Sequence, residues 1–108
     1  MATPYSGKYI GQGYLGNKPF GHSFHLFINE DCSGGTFTIE SESFKLDHFQ
    51  CGDELFFDVT IDPPIGGYGG TVAFKGRMVA FAPKIIWGSI KSDMADDPTW
   101  TAQATPGQ

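Results

Sequence analysis

The sequence predicts an all-β protein, a small antiparallel up-and-down barrel of about eight strands. Three observations carry this. Apolar residues recur at every second position rather than with a 3.6 period. Turn residues break the pattern at short, regular spacing. No stretch longer than Ser92–Pro98 reads as helical. With 108 residues and 15% aromatics, one domain can bury a core. A barrel is preferred to an open sheet because few lysines or inward charges protect an edge.

The elements follow in chain order. Residues 1–6 read as a tail, 7–103 as the barrel domain and 104–108 as a second tail. Lys8–Tyr14 opens the barrel, and Asn17-Lys18-Pro19 turns it. Between Gly21 and Asn29, His22, Phe24, Leu26 and Ile28 share one parity, assigned inward. Asn29–Gly35 is a turn cluster. Thr36–Ser41 puts Phe37 and Ile39 on one face, and Ser43–Phe49 is the next strand. Between Asp53 and Asp62, Leu55, Phe57, Val59 and Ile61 alternate with Glu54, Phe56, Asp58 and Thr60, a mostly polar face. Pro63–Gly67 turns the chain. Gly70–Lys75 and Arg77–Ala82 are read as two strands separated by a turn at Lys75-Gly76. Lys84–Ile90 and Thr99–Gln103 complete the set. The parity predicts that Phe24, Leu26, Phe37, Ile39, Leu55, Phe57, Val59, Ile61 and Phe74 are buried together.

Charge and composition exclude several classes. A net charge of −5 argues against nucleic-acid partners. No apolar run approaches a membrane span. The N-terminal residues show no basic n-region and no apolar h-region, so no signal peptide is expected and the expected location is cytoplasmic. Cys32 and Cys51 are then expected to be a reduced pair, since disulfides persist in oxidising compartments.

Gly7-Lys8-Tyr9-Ile10-Gly11 resembles the opening of lipocalin-like and avidin-like barrels. Gly34-Gly35-Thr36-Phe37, Gly52-Asp53-Glu54-Leu55-Phe56-Phe57, Ile86-Trp87-Gly88-Ser89-Ile90 and Trp100-Thr101-Ala102 follow in an order similar to small bacterial calycin-like barrels. The resemblance spans residues 7–102. It implies a barrel that holds a small, largely apolar or aromatic molecule. It equally accommodates a cofactor-free isomerase or cyclase, or a structural barrel with no ligand. Biotin binding is not implied, because only Trp87 and Trp100 exist.

The chemistry-bearing residues are few. Gly11-Gln12-Gly13-Tyr14-Leu15-Gly16 matches a dinucleotide fingerprint, but no βαβ unit surrounds it. His22 and His25 point to opposite faces of a strand, so they cannot share a metal, and no metal or other cofactor is expected. Glu54 and Asp58 are four apart on a strand, roughly 13 Å, too far for paired-carboxylate chemistry; they read as solvated. Asp93, Asp96 and Asp97 form an acidic loop. His22, at a strand start on the inward parity, and Tyr9, on the parity of Gly7, Gly11 and Gly13, are the residues that would move a proton in a lumen. Tyr9, Tyr14, His22, Phe24, His48, Phe57 and Trp100 are the expected ligand contacts. Phe27, Phe56, Ile85 and Trp87 fall on the outward parity, and a homodimer through them is a further expectation.

Overall fold

The computed structural model describes residues 5–81, 83–91 and 98–105. It contains β1 (Gly7–Leu15), β2 (Lys18–Ile28), β3 (Gly35–Ile39), β4 (Glu42–Lys45), β5 (Asp47–Cys51), β6 (Leu55–Ile65), β7 (Tyr68–Phe81), β8 (Lys84–Lys91) and β9 (Thr99–Ala104). All neighbours pair antiparallel, in the order β4-β3-β2-β1-β9-β8-β7-β6-β5. First and last strands meet as β1 and β9. The two ends of the order, β4 and β5, are separated in sequence only by Leu46. Segment 42–51 therefore pairs with β3 through its first half and with β6 through its second. Counted as one bent strand it nearly closes an eight-membered ring, the small antiparallel barrel expected.

Local chemistry explains the joins. Leu15 pairs with Lys18 across a two-residue turn whose Gly16 has φ +65°, a conformation glycine adopts without strain. The prolines at 63 and 64 lie where the β6–β7 register is interrupted, between Ile61 and Ile65, so no regular ladder needs their missing N–H groups. The Asp62–Pro63 bond is cis.

The parity of the core is as expected. The nine residues named above are each no more than 1% exposed. Phe24 and Phe37 stack with centroids 4.6 Å apart, and Phe57 and Phe74 at 4.9 Å. Trp100 stands edge-on to Phe74 at 5.4 Å, and Tyr68 edge-on to Phe24 at 6.2 Å. These rings occupy the space a lumen would need.

Two expectations about elements are corrected. Lys75-Gly76 is no turn: β7 runs straight through it, with Gly76 paired to both Leu55 and Gly88. Gly76 is there because a Cβ would sit 2.8 Å from the Trp100 ring. Secondly, Cys32 and Cys51 are joined as a disulfide, with Cα atoms 6.1 Å apart. That separation lies inside the range a disulfide spans. The reduced pair was inferred from compartment; the fold instead brings the β2–β3 loop to the end of β5. The helical reading of Ser92–Pro98 and the acidic group Asp93, Asp96 and Asp97 lie, Pro98 aside, outside the described residues.

Candidate functional site on the outer sheet face

The interior residues expected to touch a ligand touch one another. Phe24, Phe57 and Trp100 are no more than 1% exposed. The Trp100 indole N–H donates to the Lys75 carbonyl at 3.0 Å. Tyr9 is equally buried, and its hydroxyl donates to the Tyr5 carbonyl at 2.9 Å. Burial, with Tyr5 nearby, pushes that hydroxyl up to about 12. It is a neutral donor already satisfied by backbone. Tyr68, fully buried, is also pushed up to about 12 by burial.

His22 does not face inward, which corrects its parity assignment. Gly11 pairs with Phe24 and Gly13 with Phe20, so Gly21, His22 and Ser23 together lie opposite Gln12 alone. This bulge breaks the alternation. The His22 side chain is 63% exposed, with Nδ1 3.3 Å from Glu40 Oε1. Its backbone N–H donates to the Gly66 carbonyl. Tyr9, opposite Leu26 and Ala104, shares no cavity with it. Tyr14 is half-buried on β1, paired with Thr99 and Pro19. His48 is exposed, in a left-handed conformation, with Nδ1 2.8 Å from Asp58 Oδ2. His48, Asp58 and the expected contact Phe57 line one depression of about 280 Å³ with Ser89 on its far side, and no hydrogen bond joins the Ser89 hydroxyl to His48. Asp58 pairs with Ala73 on β7, and Ser89 stands a further strand away on β8. Among the described residues, no three His, Cys, Asp or Glu side chains gather as a metal site would require.

A second set of side chains lies outside the barrel. Ladder register sets Gln12, Thr101, Trp87 and Arg77 in one row across β1, β9, β8 and β7. Glu54, just before β6, continues that row. The adjacent row holds Tyr14, Thr99, Ser89, Lys75 and Phe56. Trp87 is 51% exposed at the centre. It lines a depression of about 400 Å³ together with Glu54, Lys75, Arg77, Ser89 and Thr99. Glu54 Oε2 lies 3.6 Å from Arg77 Nη2 and 3.8 Å from Lys75 Nζ. Lys75 Nζ also stands 5.6 Å from the Phe56 ring centroid. Trp87 faces outward because Ile86, Gly88 and Ile90 take the buried parity of β8, and Gly88 is itself glycine because a Cβ there would collide with the Lys75 carbonyl.

The outward parity expected for Phe27, Phe56 and Trp87 is observed, and Ile85 is half-buried. They do not form one cluster. Phe27 pairs with Lys8 and Thr36, and β1 and β9 separate its strand from that of Trp87. Sequence reading missed Lys75, Arg77, Ser89, Thr99 and Thr101, and read Glu54 as merely solvated. The signal that finds them is cross-strand register, and reading Gly76 as a turn hid the pairing of Arg77 with Trp87. No family model, curated protein or solved structure matches this chain. Function is therefore argued from the site.

Proposed function

We propose that this protein is a non-catalytic binding module that recognises its ligand on the outer sheet face around Trp87. One contrast carries the reading. The buried aromatic rings pack at contact distance, and the Trp100 and Tyr9 polar hydrogens bond to backbone, whereas Trp87 stands half exposed in a depression whose charges, Glu54, Arg77 and Lys75, are held by long, partly exposed ion pairs. A depression of about 400 Å³ falls at the small end of ligand sites, roughly 300–1,000 Å³. An apolar molecule in the lumen, whether bound or turned over there, would have to displace rings that already fill it. Proton transfer by Tyr9 and His22 has no support from their placement.

The Cys32–Cys51 bond favours an oxidising compartment as the working location over the cytoplasm. Self-association is the second reading, favoured by the exposed Trp87, Val79, Phe81 and Phe56. Sedimentation at micromolar concentration tests it: the ligand-module reading expects a monomer.

The test of the leading reading is a titration with a long-chain fatty acid and with a naphthalene-sulfonate dye. Neither should bind at a defined 1:1 site inside the barrel. Saturable 1:1 binding that survives Trp87→Ala would restore the lumen.

A further inference from the structure

We propose that the Trp87 face binds a neutral saccharide chain, one pyranose ring stacking its C–H face on the indole. This rests on the outer-face reading above and names the ligand class.

A sugar ring offers an apolar C–H face and a rim of hydroxyls that both donate and accept. The depression offers the complement of each. Trp87 supplies a large flat apolar surface at the centre of the sheet. Arg77, its direct cross-strand partner, supplies N–H donors beside that surface. Glu54 supplies a carboxylate acceptor, and the Ser89 and Thr99 hydroxyls, which also line the depression, do either. Glu54 stands more than 3.5 Å from both cationic nitrogens, outside hydrogen-bond length, so these contacts leave donor and acceptor positions open to a ligand.

Charge narrows the class. The depression holds two cationic side chains, Lys75 and Arg77, but both already face the Glu54 carboxylate, so a phosphate or sulfate would have to displace Glu54 from them while approaching a chain of net charge −5. A purely apolar ligand would strand Arg77 and Glu54 away from water. A neutral polyol satisfies all three kinds of group. Shape extends the argument from one ring to a chain. The row from Gln12 to Arg77 crosses four adjacent strands, about 14 Å at the usual strand spacing. Phe56 offers a second aromatic surface two strands from Trp87, about 10 Å.

The test uses the whole protein and a panel of soluble hexasaccharides of glucose, xylose and mannose, with heparin hexasaccharide as the anionic control. Readouts are calorimetry and tryptophan fluorescence. At least one neutral hexasaccharide should bind at micromolar to millimolar concentration and shift the emission of exposed Trp87. Trp87→Ala should weaken binding at least tenfold while melting as wild type does, and Glu54→Gln should weaken it severalfold. Absence of binding by every neutral sugar overturns the saccharide assignment, as does binding by heparin alone. Sugar binding unchanged in Trp87→Ala overturns the placement on this face. The outer-face reading fails separately, through the fatty-acid titration, if an apolar ligand enters the barrel of the Trp87→Ala protein.

Discussion

The two tryptophans should respond to truncation in opposite ways. Trp100 is fully buried, packs edge-on to Phe74 at 5.4 Å and to Phe57 at 6.1 Å, and donates to the Lys75 carbonyl. Trp100→Ala empties the middle of the ring cluster, at a cost of about 3–5 kcal/mol for a large aromatic. Losing the indole hydrogen bond adds about 1 kcal/mol. The sum, about 4–6 kcal/mol, approaches the whole stability of many domains this size. At about 4–8 °C per kcal/mol the midpoint should fall by at least about 16 °C. Trp87 packs on one side only, so Trp87→Ala should move stability by no more than about 0.5 kcal/mol. Thermal melts by circular dichroism, with urea titrations alongside, measure both. A Trp100→Ala protein melting within 5 °C of wild type would refute the packed interior, because the expected fall is at least about three times that size. Equal losses from both variants would refute the assignment of the two faces.

Three further outcomes follow from the same geometry. Breaking the disulfide, by Cys32→Ala with Cys51→Ala, should cost about 3 kcal/mol in the loop-entropy model for a separation of 19 residues, read from the shift in urea midpoint. Gly88→Ala should cost at least about 1–3 kcal/mol by chemical denaturation, because its Cβ meets the Lys75 backbone rather than a movable side chain. Stability should decline between pH 10 and 12: the Tyr9 and Tyr68 hydroxyls are pushed up to about 12 by burial, against about 10 in an unfolded chain. Their contribution is fully present below pH 10 and is lost as the unfolded form deprotonates first, on the order of 2 kcal/mol per tyrosine. Tyr9→Phe should flatten that decline in alkaline urea titrations.

Period-two alternation made the barrel wall legible, because a strand in a closed sheet has one face in the core and one in water. Leu55, Phe57, Val59 and Ile61 are buried and Phe56 is exposed, as parity requires. The alternation failed where residues are added to one strand. At Gly21–Ser23 the bulge throws His22 to the surface, and nothing in the one-dimensional pattern marks it. Gly76 was misread for a related reason. Glycine serves both turns and close approach, and only the Trp100 ring lying over it distinguishes the two. The Trp87 depression was half legible. Its aromatic centre followed from parity, but Arg77, Glu54 and Thr99 join it through register across strands far apart in sequence.

Xenon binding tests the central claim, a solid barrel that recognises on its outside, most directly. Xenon enters apolar cavities and leaves packed interiors empty. A crystal of the wild-type protein under xenon pressure should show no xenon among Phe24, Phe57, Phe74 and Trp100, while Trp100→Phe, which opens a small gap there, serves as the control. Xenon held in the wild-type barrel between those rings would contradict the account and return the lumen to the centre of the protein's function.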